Sequence, residues 1–281
     1  MRLGRLLKDK IMEAYTSFAK VYDTFMDATP YEEWGDRICE MIEKYGVSKP
    51  AASDCKDALA AERNLVLDLG CGTGTMTELL ASRGYDMIGV DNAEEMLAIA
   101  MEKREKTGNT ILYLLQDMRS LDLYSTVGTV ISVCDSLNYL LDEEDLFKTF
   151  QQVENYLYPG GIFVFDFNTV YKYAEVIGDT TIAEERDECS FIWENYYHPE
   201  EEINEYDLTL FVKEEKDLYR KFTETHYQRG YTPEQMQRIA ERAGLQWVFA
   251  MDADTLEEVN DYTERVFAVV REQKKMLKQE K

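Results

Sequence analysis

The sequence predicts an α/β protein built on a doubly wound, mostly parallel sheet. Three observations carry this. Five short apolar runs alternate with helical stretches, a glycine-rich turn follows the first run directly, and a block of longer, half-polar strands comes only afterwards. The runs are Leu65–Leu69, Met87–Val90, Ile111–Leu115, Val130–Cys134 and Ile162–Phe165, each predominantly apolar. Such runs suit strands covered on both faces, as in a parallel sheet.

Taken in chain order, residues 11–46 read as helical, with Ile11, Tyr15, Phe18, Tyr22 and Phe25 at helical spacing. Pro30 breaks this pattern, so a second helix is expected from Tyr31 to Tyr45. Gly46 to Ala61 is mixed and polar, a lead-in to the main domain. Between the apolar runs the helix candidates are Thr75–Arg83, Ala93–Lys106 and Glu143–Tyr156. Tyr158-Pro159-Gly160-Gly161 places Pro and Gly where a type II turn wants them.

After Asn168, the stretches Phe191–Tyr197, Tyr206–Val212 and Tyr219–Tyr227 show period-two alternation. Tyr206, Leu208, Leu210 and Val212 share one face while Asp207 and Thr209 take the other, which predicts antiparallel strands with one wet side. Thr232-Pro233-Glu234 opens a helix with a cap residue and a proline at its first position, and Gly244 closes it. Strands near Gln246–Met251 and Arg265–Val270 complete the main sheet. The Lys/Glu-rich end after Arg271 reads as a solvated tail.

Composition bounds the function. The chain has 281 residues and is 45% hydrophobic, enough for a sizeable core. Against 31 Lys and Arg stand 55 Asp and Glu, a formal charge of -24. Such a field repels phosphate backbones and anionic membrane surfaces, which argues against a nucleic-acid or membrane partner. No run approaches the ~20 apolar residues that span a bilayer. The opening stretch is interrupted by Lys8, Asp9 and Lys10, unlike a secretory leader. Cys39, Cys55, Cys71, Cys134 and Cys189 are widely spaced, which suggests reduced thiols in a cytoplasm and neither disulfides nor a metal site.

The chemistry centres on Val66-Leu67-Asp68-Leu69-Gly70-Cys71-Gly72-Thr73-Gly74, a strand running into a glycine turn and then a helix. Glycine lets the backbone turn sharply and lets a ligand approach closely, and the helix N-terminus presents unpaired N–H groups. Asp91 ends the second strand, placed to accept the hydroxyls of a ribose. The dinucleotide fingerprint GxGxxG would require glycine at 75, where this chain has Thr75.

The triplet Gly70, Gly72, Gly74, with Asp68 ahead of it, resembles motif I of class I S-adenosylmethionine-dependent methyltransferases, whose sheet is Rossmann-like with an antiparallel last strand. The resemblance implies S-adenosylmethionine as cofactor, held by Gly70, Cys71, Gly72, Thr73, Gly74, Asp91 and Asn92. It implies that Met96, Gln116, Asp117 and Met118 surround the adenine, and that methyl and acceptor meet near Cys134. Taken singly, Asp117 would be a solvated or capping acid and Met96 a core residue.

More narrowly, the chain resembles the bacterial YqeM-type methyltransferases. The matching strings are Phe18-Ala19-Lys20-Val21-Tyr22-Asp23, Gln116-Asp117-Met118-Arg119, Cys134-Asp135-Ser136-Leu137-Asn138-Tyr139-Leu140, Phe191-Ile192-Trp193 and Glu224-Thr225-His226-Tyr227-Gln228-Arg229. This implies an N-terminal helical lid over residues 1–60, with Tyr22 near the cofactor. The cofactor-binding domain would occupy 61–180 and 230–281, and an inserted antiparallel sheet, 181–229, would lie over an acceptor pocket. Acceptor-pocket candidates are Asp135, Asn138, His226 and Arg229, although a lone histidine on a strand is more often structural. The acceptor is expected to be a small molecule. Three rival readings are a nucleotide-dependent oxidoreductase, an RNA- or DNA-directed methyltransferase, and a non-catalytic S-adenosylmethionine-binding module. Thr75 opposes the first and the charge opposes the second.

Overall fold

The computed structural model describes residues 18–50, 58–273 and Lys275. Seven strands form the main sheet in the order β10-β11-β5-β4-β1-β2-β3. They are β1 (Leu65–Leu69), β2 (Asp86–Asp91), β3 (Ile111–Leu115), β4 (Val127–Ser132), β5 (Leu157–Asn168), β10 (Leu245–Asp252) and β11 (Arg265–Glu272). The pairs β1–β2, β2–β3, β1–β4 and β4–β5 are parallel, whereas β11 runs antiparallel to both β5 and β10. The last strand is therefore the one that runs against the rest.

Helices cover both faces. On one side lie α2 (Tyr31–Tyr45), α4 (Thr75–Ser82) and α5 (Glu94–Thr107). Their residues Trp34, Ile38, Ile42, Leu80 and Leu97 pack on Val66, Met87, Ile131 and Val164. On the other side α6 (Glu143–Tyr156) and α7 (Pro233–Ala243) bury Leu146, Phe150, Val153, Met236 and Ile239 against Leu67, Phe163 and Phe165. Burial of each such side chain stabilises the fold by roughly 1.5–3 kcal/mol. The start of α7 is a capping box: Thr232 and Gln235 exchange side-chain and backbone hydrogen bonds, with Pro233 at the first turn.

Between β5 and α7 the chain builds a second sheet, β6 (Thr181–Glu185), β7 (Cys189–His198), β8 (Ile203–Glu215) and β9 (Leu218–Arg229), antiparallel throughout. Its inner face, Cys189, Phe191, Leu208 and Leu210, meets Phe18, Val21 and Phe25 of the segment around α1 (Ala19–Phe25). Phe25 and Phe191 contact edge to face at 4.7 Å.

Several details differ from the sequence reading. Ile11 and Tyr15 lie outside the described residues, as does Cys55. A short helix, α3 (Ala58–Asn64), occupies part of the stretch read as a polar lead-in. β3 leaves Leu112 and Leu115 exposed, because it is the sheet's edge. β4 starts and stops earlier than expected, so Cys134 falls in the following turn. Tyr158–Gly161 forms a bulge inside β5, with Gly160 at φ 75°, and does not precede that strand. Glu272 is not part of a solvated tail: it is buried and accepts the Gly160 N–H at 3.1 Å. Lys275 likewise donates to the Asn155 and Leu157 carbonyls at the end of α6.

Candidate active site

A cavity of about 520 Å³ opens at the C-terminal ends of β1, β2 and β4, where ligands bind in open α/β sheets. Tyr22, Gly70, Cys71, Gly72, Thr73, Asp91, Asn92, Met96, Gln116, Asp117, Met118 and Cys134 all line it. Gly74 does not. It sits at the start of α4 with φ 75°, and a Cβ there would collide with the Tyr113 hydroxyl, so it serves helix packing. Gly72, at φ 53°, has no atom of a described residue other than its chain neighbours within 4 Å of where its Cβ would stand. That open space belongs to the cavity.

The loop is held from two sides. Gly70 and Cys71 N–H groups donate to the Val90 carbonyl at 2.8 and 3.0 Å. Asp91 accepts from Gly72 N–H at 2.8 Å and from Ala93 N–H at 2.9 Å, while burial pushes its carboxyl above the ordinary range. From the N-terminal side Asp23 accepts from Thr73 Oγ1 at 2.7 Å and from Lys103 Nζ at 2.7 Å, which ties α1 to the loop.

Asp68 lies beneath the loop, 1% exposed. Thr77 donates to its Oδ2 at 2.6 Å, but its Oδ1 is buried without a partner among the described residues. Burial pushes its carboxyl up to about 7, with the Thr77 hydrogen bond opposing and the Asp91 charge adding. A folded-state value above the unfolded one means that Asp68 stabilises the fold most below about pH 4. That contribution is lost as pH rises to about 7, with a slope of up to ~1.4 kcal/mol per pH unit. In a series of melts from pH 5 to 7, Asp68→Asn is therefore expected to lose less stability than the parent. Parallel pH profiles would remove Asp68 as the buried acid.

Gln116 does not present a free amide: it bridges Asp122, accepting from its N–H and donating to its carbonyl, both at 2.9 Å. Arg119 grips Asp117 through Nε at 2.9 Å and bonds Asp145 at 2.9 Å. Burial alone would raise the Asp117 carboxyl, but the Arg119 hydrogen bonds outweigh it and hold it below the ordinary value. The Cys134 thiol stands 3.8 Å from the Tyr31 hydroxyl, another cavity residue.

Of the four acceptor-pocket candidates, Arg229 lines the cavity, with its guanidinium on Glu202 at 3.1 Å and the Leu141 carbonyl at 3.2 Å. The other three do not line this cavity, and their polar atoms are taken up within the protein. Asp135 is held by Arg265 at 2.7 Å and Gln228 at 2.6 Å. Asn138 is fully buried and straps the Asn168 backbone at 2.9 Å in both directions. His226 is 2% exposed, lies parallel to the Tyr206 ring at 5.0 Å, and sits 3.4 Å from Glu224 and 3.3 Å from the Tyr139 hydroxyl. His226→Ala is expected to cost about 2–4 kcal/mol of stability, because it opens a cavity beside a buried carboxylate. Its affinity for S-adenosylhomocysteine is expected to stay within about threefold of the parent (~0.7 kcal/mol). Full stability to urea combined with lost turnover would restore it as an acceptor-pocket residue.

The sequence reading did not single out Asp68, Thr75, Ser136, Asp142, Asp145, Glu200, Glu201 or Ile203 as pocket residues, yet all line the cavity. Glu200 and Glu201 belong to the turn between β7 and β8, about 130 residues from the glycine loop, and carry no local signal. Among the described residues no group of His, Cys, Asp and Glu is arranged to hold a metal, and no helix is long and apolar enough to cross a membrane.

Residues 66–161 match a methyltransferase-domain family model. Over 255 residues the chain is 34% identical to YqeM of Bacillus subtilis (strain 168), covering 90% of this chain and 95% of the relative. It is also 34% identical to GWCH70_2453 of Geobacillus sp. (strain WCH70), covering 92% and 99%. Both are named as methyltransferases, and neither name specifies an acceptor. The crystal structure of an S-adenosylmethionine-dependent methyltransferase from Clostridium acetobutylicum ATCC 824 superposes with TM-score 0.79 at 29% identity, covering 92% of this chain and 99% of that one. S-adenosylmethionine-bound CalS10 of Micromonospora echinaspora shares the fold at TM-score 0.66 and 19% identity, covering 89% and 96%. The sheet order, the glycine loop and these likenesses define an S-adenosylmethionine-dependent methyltransferase. Within that class, the chain belongs to the YqeM family.

Proposed function

We propose that the enzyme methylates a small molecule bearing an amine, in a cavity whose one end holds the cofactor and whose other end is roofed by the inserted sheet. One observation carries this reading. Glu200, Glu201 and Ile203 of the inserted sheet line the same cavity as Gly70, Gly72 and Asp91. The empty space over Gly72 and the unpartnered Asp68 Oδ1 fit a ligand with a ribose and a cationic amino-acid end. Gly70 to Thr73 would cradle that end, Asp91 and Asn92 would take the ribose, and Met96, Asp117 and Met118 would surround the adenine. The segment carrying Tyr22 would close over the cofactor.

When bound, S-adenosylmethionine supplies a sulfonium methyl, which passes to the acceptor and leaves a thioether. The protein's part is to hold the acceptor in line and exclude water. The cavity lining includes Asp142, Asp145, Glu200 and Glu201, and its two arginines are already paired, Arg119 with Asp117 and Asp145 and Arg229 with Glu202. That charge draws an ammonium inward and repels phosphates and carboxylates. The amine then attacks after giving its proton to water or to a mouth carboxylate. Two partial relatives are named for amine acceptors. One is the glycine/sarcosine N-methyltransferase of Halorhodospira halochloris, 31% identical over 36% of this chain. The other is the dTDP-3-amino-3,4,6-trideoxy-alpha-D-glucopyranose N,N-dimethyltransferase of Streptomyces venezuelae, 32% identical over 40%.

The test is a screen with methyl-labelled S-adenosylmethionine against metabolite extract separated by charge, beside total RNA. Label is expected in the cationic small-molecule fraction. Label in RNA overturns the reading, and label confined to anionic metabolites overturns the amine. Tight S-adenosylhomocysteine binding without transfer to any fraction would favour a non-catalytic binding module.

A further inference from the structure

Cys134 and Asp135, directly after β4, have φ of 60° and 53°. Among the described residues no other two adjacent non-glycine residues are both left-handed. Side chains resist this conformation, so surrounding contacts must impose it. Those contacts converge on one buried group. The Cys134 and Asp135 N–H groups donate to the two oxygens of Asp166 at 3.2 and 2.8 Å, filling with a carboxylate the anion cradle that successive N–H groups create. Asp166 is fully buried on β5. Its charge is met by Arg265 of β11, which bonds Asp166 at 2.6 Å and Asp135 at 2.7 Å and lies 5.4 Å over the Trp34 ring. Gln228 closes the cluster on Asp135 at 2.6 Å.

The clamped turn forms part of the cavity wall. Val133, Cys134 and Ser136 line the cavity, and the Ser136 hydroxyl donates to the Gly70 carbonyl at 3.2 Å. A path of direct contacts thus joins Arg265 and Asp166 to the glycine loop. We propose that Asp166 and Arg265 are positioning residues, which hold the Cys134–Asp135 turn left-handed and thereby set the wall and loop that receive the cofactor. Neither lines the cavity, so both act through the turn. The assignment rests on the cofactor occupying this cavity.

The test is a double-mutant cycle on S-adenosylhomocysteine affinity, using Asp166→Asn, Cys134→Gly and their combination. Asp166→Asn is expected to weaken binding about tenfold, the size of one strained residue released from its support. Glycine adopts the left-handed turn without a clamp. In the Cys134→Gly background, measured against its own affinity, the Asp166→Asn penalty should therefore shrink to about threefold or less. A purely structural role predicts otherwise: a lower melting temperature, with the same ratio of affinities in both backgrounds. That equality overturns the proposal, as does Asp166→Asn binding within about twofold of the parent. If Asp166→Asn does not fold, Arg265→Lys replaces it in the cycle. It keeps the charge but cannot bridge both carboxylates, and the same dependence on residue 134 is required of it. Titration of the parent separates the two readings, since failure to bind there defeats the cofactor assignment and a missing coupling defeats only the clamp.

Discussion

Gly72→Val is expected to show no S-adenosylhomocysteine binding by titration calorimetry while remaining folded, a loss of about a thousandfold or more (~4 kcal/mol). Two effects add. Residue 72 sits at φ 53°, where a β-branched side chain is strained, which costs roughly 1–2 kcal/mol of stability. The larger effect falls on the ligand. Apart from its two chain neighbours, no described residue places an atom within 4 Å of the new Cβ, so the branched side chain would fill space left open for the cofactor. Gly72→Ala adds a single carbon in the same direction and is expected to fall between. A folded Gly72→Val protein that binds normally would show that the ligand does not pass over this residue, and the glycine loop would no longer be the cofactor cradle.

Asp91→Ala carries the second largest effect, a loss of roughly 1.5–3 kcal/mol in cofactor affinity, or about one to two decades. The ribose hydroxyls would lose a charged acceptor. The structure adds a second reason. One carboxylate oxygen also takes the Gly72 N–H at 2.8 Å, so the substitution frees the loop that faces the ligand. The effect is therefore expected toward the upper end of that range. Asp91→Asn separates the causes, since its amide oxygen can still accept from Gly72 while the charge is gone. Unchanged affinity in Asp91→Ala would place the ribose elsewhere, whatever the loop does.

Much of the fold was legible because it follows from neighbours in the chain. β1 and β3 and helices α2 and α6 have the bounds that periodicity and breakers predicted, since apolar alternation and Pro30 act within a few residues. The glycine loop and Asp91 were found for the same reason, as a strand, a turn and a helix in unbroken succession. Gly74 was harder to read, since a packing glycine and a cradling glycine look alike until Tyr113 is placed beside one of them.

What only the tertiary structure decided was which polar groups remain free to meet a ligand. Asp135, Asn138 and His226 stand in the strings that resemble the family, yet Arg265, Asn168 and Tyr206 occupy or cover them. Those partners lie 130, 30 and 20 residues away. The antiparallel register of β11 on β5 pairs Arg265 with Asn168 and brings its guanidinium to Asp166. Likewise Glu200 and Glu201, in the turn between β7 and β8, line the cavity although they lie about 130 residues from the glycine loop. Local pattern fixes which face of an element is apolar. Whether a carboxylate or an imidazole is a site or a strut depends on how its hydrogen-bonding capacity is consumed by residues remote in sequence, and only long-range pairing determines that.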